Sequence, residues 1–112
     1  MSPSGTPRDL PGPTALQILL TLAEQNLHGY GIKRDVEART GGSMVLRPGT
    51  LYEAIHRMEA DGWIEEIAGD GGRRRTYRIT GGGRRVLAEE LERLDAIVRH
   101  ARAADLLPGG GG

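Results

Sequence analysis

The chain has no cysteine, no phenylalanine and one tryptophan among its 112 residues, and lysine occurs once, at Lys33. Without cysteine there is no disulfide, no thiolate metal site and no cysteine nucleophile. Without phenylalanine the core has to be aliphatic. No run approaches the roughly 20 apolar residues of a membrane span. The first residues lack the apolar stretch of a secretory signal, so a soluble cytoplasmic protein is expected. Net charge is missing too, because 15 basic residues balance 15 acidic ones. A globally basic protein is excluded, and any contact with nucleic acid has to come from uneven placement of charge. The basic residues are almost all Arg, which suits bidentate phosphate and guanine contacts, although a GC-rich genome produces the same bias.

What is present fits one small domain. Residues 1–13 carry Pro3, Gly5, Pro7, Pro11, Gly12 and Pro13 with few apolar groups and read as a disordered arm. Pro108 and Gly109 to Gly112 stop a helix and read as a disordered tail. Between them the patterning predicts three helices, a hairpin and a fourth helix. The first spans about Thr14 to Asn26, with Leu16, Leu19, Leu20, Ala23 and Leu27 in one stripe of helical period. Ile18 and Leu22 add apolar surface on a second side, which fits either deep burial in the domain or contact with a second subunit. His28 to Ile32 breaks this helix and opens the next, which runs to about Thr40 and ends at Gly41-Gly42-Ser43. Met44 to Leu46 reads as a small strand. Pro48 opens the third helix and Gly62 closes it, with Leu51, Ala54, Ile55 and Met58 facing inward.

Two strands are predicted at Trp63 to Ala68 and Thr76 to Thr80, where Tyr77 and Ile79 alternate with polar residues. Gly69-Asp70-Gly71-Gly72 between them is turn chemistry. The last helix is expected from Gly83 to about Leu106. This order is an α+β, mainly α fold: a winged helix-turn-helix (residues 14–82) with an added C-terminal dimerisation helix (residues 83–107).

Three features bear on function. The third helix leaves Thr50, Glu53 and Arg57 free, with Tyr52 and His56 at its edges. Hydroxyl, guanidinium and imidazole groups near a helix N-terminus suit phosphates and base edges in a major groove, although a plain solvated face would look the same. From Gly69 to Arg85 one acid, Asp70, faces six arginines, leaving a net charge of +5. A glycine-rich tip followed by Arg73, Arg74 and Arg75 is what a wing needs to track a phosphate backbone or enter a minor groove. In the last helix Leu87, Leu91, Leu94, Val98 and Ala101 are spaced as a heptad seam flanked by Ile97. That seam fits packing on the first helix of its own chain or on a second copy, and a dimer would match a two-fold symmetric operator.

His28-Gly29-Tyr30-Gly31-Ile32, Arg47-Pro48-Gly49-Thr50-Leu51-Tyr52 and the stretch Arg57 to Glu65 occur in the order seen in the PadR regulators. Arg74 to Thr80, then Gly83-Arg84 and Leu87, resemble that family's wing and helix start. The resemblance covers roughly residues 14–104. It implies a winged-helix homodimer, usually a repressor, that often answers to a small hydrophobic or aromatic effector. Carried onto this chain, it gives Tyr30, Thr50 and Tyr52 phosphate contacts and puts the wing arginines on the minor groove or backbone. The candidate DNA-contacting set is Tyr30, Lys33, Arg47, Gly49, Thr50, Tyr52, Glu53, His56, Arg57, Arg73, Arg74, Arg75 and Tyr77. The candidate dimer interface is Leu16, Ile18, Leu22, Leu87, Leu91, Leu94, Ile97, Val98 and Ala101.

Two positions depart from the family pattern. Arg47 stands where a helix-capping hydroxyl residue is common, and losing that acceptor costs about 1 kcal/mol. Gly81-Gly82-Gly83 is loose for a helix start, at up to about 1 kcal/mol per glycine, and predicts a mobile joint between wing and last helix.

An enzyme is not expected. His28, His56 and His100 lie on separate elements, the glycine-rich stretches lack the lysine and hydroxyl of a P-loop, and Tyr30 and Tyr52 have no neighbouring base. No metal or other cofactor is expected, and the absence of cysteine and paired histidines argues against a metal sensor. A winged-helix adaptor between proteins is the alternative, but it would sooner display an apolar patch than six arginines.

Overall fold

Pro13 and Pro48 each stand in the first turn of a helix, where the missing N–H would have had no intrahelical partner. The computed structural model describes residues 10–67 and 75–108. Its elements are α1 (Pro13–Glu24), β1 (Leu27–His28), α2 (Gly29–Arg39), α3 (Pro48–Ala60), β2 (Ile64–Ile67), β3 (Thr76–Ile79) and α4 (Gly81–Ala103).

Three of the helices end by the same device. After α2 the N–H groups of Gly41 and Gly42 donate to the carbonyls of Ala38 and Glu37. After α3 those of Gly62 and Trp63 donate to Glu59 and Met58, and after α4 those of Asp105 and Leu106 donate to Arg102 and Ala101. Each turn needs one residue in the left-handed region. Gly41 and Gly62 supply it at φ of 63° and 80°, and Asp105 adopts it at 62°.

The core is aliphatic, as the missing phenylalanine requires. Ile18, Leu19, Leu22, Ile32, Val36, Leu46, Leu51, Ile55, Met58, Ile64, Tyr77, Ile79 and Leu87 form one buried cluster. α1 and α2 are further tied by a polar network around the fully buried Thr21. Its hydroxyl donates to Asp35 at 2.7 Å and accepts from Arg39 at 3.0 Å, while Arg39 also pairs with Asp35 and donates to the Gln17 side chain at 3.1 Å. Among the described residues no buried side-chain nitrogen or oxygen lacks a partner.

The sheet is antiparallel in the order β1-β3-β2. β2 and β3 form the hairpin in register Ile64 with Ile79 and Glu65 with Arg78. Its tip, residues 68–74, lies outside the described residues, and so do the expected end of the strand at Ala68, Arg73 and Arg74, the arm up to residue 9 and the tail from residue 109. The third strand is not the one the sequence suggests. Met44 to Leu46 is irregular, with Val45 59% exposed and Leu46 buried. The free edge of β3 is taken by β1, where Leu27 pairs with Tyr77 and His28 with Thr76.

The phase of α1 also differs from expectation. Its buried face is Ile18, Leu19 and Leu22, whereas Leu16, Leu20 and Ala23 are only half-buried. Ile18 and Leu22 are at most 1% exposed within one protomer and Leu87 is 7% exposed. All three are therefore removed from the candidate dimer interface, because their surface is already spent on their own core.

α4 begins two residues before the expected start, and the third of its glycines is tightly packed. Thr80 caps the helix by accepting the Gly83 N–H at 3.0 Å, and its own hydroxyl donates to the Gly62 carbonyl at 2.6 Å. The Thr80 N–H donates to the Trp63 carbonyl at 3.0 Å. Gly83 is buried against that carbonyl. A Cβ there would overlap the Trp63 oxygen and come within 2.9 Å of the Ile79 side chain. Glycine is thus a packing requirement.

Two predictions follow from this packing. Gly83→Ala forces backbone apart and should cost about 2–3 kcal/mol, read as a fall in Tm of roughly 10 °C or more. Glu90 on α4 is buried, and Arg93 donates to it at 2.8 and 2.7 Å. That hydrogen bond, ahead of the opposing effect of burial, lowers the Glu90 pKa. The stabilisation is complete above the unfolded carboxyl range and lost as pH falls through the lowered folded value. Glu90→Gln should therefore lower Tm at neutral pH, and the gap to wild type should close on acidification.

Candidate nucleic-acid interface

α3 buries Leu51, Ile55 and Met58, so its opposite arc faces out. Arg47, Gly49, Thr50, Tyr52, Glu53, His56 and Arg57 are all exposed on or just before that arc. The helix start bears out the expected loss of a cap. Arg47 occupies the N-cap in extended backbone, and its side chain accepts nothing from the helix. Pro48 has no N–H, so the N–H groups of Gly49 and Thr50 point out of the helix without an intrahelical partner. With the helix dipole behind them and the Arg47 guanidinium beside them, they form a positive end suited to an anion.

The arc has two flanks. On one, Thr50, Glu53 and Arg57 share a cleft of about 360 Å³ with Leu10, Pro11 and Trp63 at the start of α1 and the end of α3. The half-buried Trp63 lines that cleft as well as packing on the core. On the other flank α3 packs against β2 of the hairpin. Tyr77, counted from sequence among the DNA-contacting residues, is 4% exposed and belongs to the core. Its position in β3 turns it inward, opposite the exposed Arg78. Burial raises the pKa of its hydroxyl, and the carboxylates of Glu59 and Glu66 push the same way. Tyr77 thus stays neutral and within the core.

α2 contributes Tyr30, 60% exposed, with the Arg34 guanidinium 5.9 Å from its ring centre. His28 caps this helix by accepting the Gly31 N–H through Nδ1 at 3.2 Å. Lys33 is held by Glu37 at 2.5 Å and is half-buried, so its charge is already partnered within α2.

On the wing, Arg75 and Arg78 are exposed and both have acidic partners that the sequence reading did not assign. Arg78 donates to Glu65 at 2.7 Å, and Arg75 lies 3.9 Å from Glu66. Alternation along β2 could have pointed to Glu65, since it stands opposite Arg78 in the register. Arg84 and Arg85 are exposed at the start of α4, near the positive end of that helix, where cations are mildly unfavourable. No acidic residue offsets them in the first turn. Among the described residues, no group of three or more His, Asp or Glu side chains could hold a metal ion, and no helix is long and apolar enough to cross a membrane.

A helix with an open positive end, set between a hairpin and a second helix, is the arrangement of a winged helix-turn-helix fold. Residues 18–89 match the transcriptional regulator PadR-like family, and the chain belongs to it. It is 38% identical over 86 residues to a transcriptional regulator of Mycobacterium tuberculosis, spanning 75% of this chain and 78% of that one. Its fold is similar to a PadR family transcription regulator from Clostridium difficile, with a TM-score of 0.69 and 26% identity over 82% of this chain and 97% of that chain. It also shares its fold with Bacillus subtilis PadR, solved in complex with operator DNA, at a TM-score of 0.61 and 22% identity over 70% of this chain and 46% of that one. Membership makes the chain a transcription regulator and not an enzyme.

The cross-strand pairs generate a test. Exposed pairs of this kind contribute about 0–1 kcal/mol to stability, so Glu65→Gln with Glu66→Gln should leave Tm almost unchanged. The same change frees Arg78 and Arg75 and should tighten binding to duplex DNA several-fold at low salt, measured by fluorescence anisotropy.

Proposed function

We propose that the chain is a homodimeric repressor that reads a two-fold symmetric operator with α3 and grips the flanking backbone with its wing. The observation that carries the DNA half is the outward arc of α3. Arg47, Thr50, Tyr52, His56 and Arg57 are exposed on it, beside unpaired N–H groups. Thr50 and Tyr52 would fix the helix on phosphates, and Glu53, His56 and Arg57 would reach base edges. Tyr30 would add a phosphate contact from α2, and Arg73, Arg74 and Arg75 would lie along the minor groove or backbone.

The dimer half rests on α4. After Glu90 its apolar residues leave the core: Leu91 and Ile97 are 38% and 51% exposed, and Leu94, Val98 and Ala101 are half-buried. An apolar stripe of heptad spacing that its own domain leaves partly exposed fits a second copy. Leu16, half-buried on α1, is the remaining part of that helix available to the interface. The reading carries release by a small hydrophobic or aromatic effector. A ligand in the cleft beside α3 would touch Thr50, Glu53 and Arg57 directly, which couples occupancy to DNA reading.

Both halves can be tested. Arg73→Ala, Arg74→Ala and Arg75→Ala combined should weaken binding to every duplex and reduce the slope of log affinity against log salt by about 3. An unchanged slope removes the wing from the interface. Ile97→Glu places a charge on an exposed position and should give monomers by sedimentation with Tm little changed. A persistent dimer means that α4 is not the seam.

A further inference from the structure

Two glycines in this protein are crowded in the same way but by different neighbours. At Gly83 the neighbour is backbone, the Trp63 carbonyl, which has nowhere to go. At Gly29 it is the tip of a side chain. A Cβ on Gly29 would overlap the Tyr52 hydroxyl oxygen and lie 2.9 Å from Cζ and 3.1 Å from Cε1 of the same ring. Gly29 is buried as the first residue of α2, whereas Tyr52 on α3 is 45% exposed. The tyrosine therefore crosses from the recognition helix and rests its hydroxyl end in a notch at the start of the preceding helix. The notch exists only because residue 29 has no side chain.

We infer that Gly29 is a positioning residue for DNA binding, acting through Tyr52. The inference rests on the DNA reading above and goes beyond it by naming a residue that itself offers DNA no side chain. The notch holds the Tyr52 hydroxyl at the first residue of α2, and Tyr52 is 45% exposed, so its phenol is both seated and open to solvent. Seated against Gly29, the phenol is positioned before DNA arrives, and a hydroxyl placed in advance on a phosphate needs less ordering on binding.

Nothing else about Gly29 calls for glycine. Its φ is not in the left-handed region, and alanine favours a helix over glycine. An added methyl group displaces a half-exposed ring that is free to swing outward. The fold should tolerate the change while the phenol loses its seat.

The experiment compares wild type with Gly29→Ala, Tyr52→Ala and the double variant. The probe is a duplex selected by the wild-type chain from a random library, and each variant is also melted. Gly29→Ala is expected to melt within about 5 °C of wild type and to bind the duplex about ten-fold more weakly, the size of one hydrogen bond to a charged group. In the Tyr52→Ala background the same substitution should change affinity less than about two-fold. Three results overturn the inference while leaving DNA binding intact. These are unchanged affinity in Gly29→Ala, an equal loss in both backgrounds, and unfolding of Gly29→Ala, which would mean that the ring cannot yield. Failure of the wild-type chain to select or bind any duplex overturns the DNA reading itself, and this inference with it.

Discussion

Trp63 follows the left-handed turn that ends α3, and its carbonyl oxygen accepts the Thr80 N–H at the far end of the hairpin while the first turn of α4 lies against it. The Thr80 hydroxyl closes the knot by bonding the Gly62 carbonyl and capping α4 through Gly83. Recognition helix, wing and last helix thus meet within a few residues, and each fixes the others. Gly62 needs a positive φ to turn the chain, Thr80 needs an oxygen that both donates and accepts, and Gly83 needs the absence of a side chain. The sheet, the arc of α3 and the direction of α4 all depend on this contact.

Against that geometry, the sequence was legible where periodicity is long or chemistry is distinctive. Pro48 and Gly62 bracket α3, and Leu51, Ile55 and Met58 set its inward face, so the exposed arc followed correctly. The motif order placed the family. The sequence misled where two faces of a helix are equally apolar. On α1, Leu16, Leu20 and Ala23 keep helical period as well as Ile18, Leu19 and Leu22 do, and only the neighbours decide which face is core. β1 is two residues long, too short for any period to register, and it exists because β3 offers an edge. Gly83 read as slack because a missing side chain gives no sign of what lies against it. Tyr77 looked like a contact residue beside the arginines, yet alternation with Arg78 had already assigned it to the other face.

The charge balance has a local counterpart in the structure. The neutral total conceals a basic hairpin, and the hairpin is in turn restrained by its own first strand, β2, where Glu65 pairs with Arg78 and Glu66 lies 3.9 Å from Arg75. Engaging phosphate then means exchanging one anionic partner for another. Such an exchange lowers indiscriminate attraction to any polyanion while leaving a well-shaped site able to compete. The same holds for Lys33, whose partner is Glu37 one turn along its helix.

The tight seat of Gly83 has a mechanical meaning. α4 is 23 residues long, about 34 Å at the rise of a regular helix. A rod of that length pivoting by about 10° at its base sweeps its far end through roughly 6 Å, close to two steps along a DNA strand. In a dimer joined by that rod, the distance between the two reading heads is governed by an angle defined at one carbonyl and one glycine. Such a dimer would act as a pair of calipers, its gap set by the packing of Gly83 against the Trp63 carbonyl.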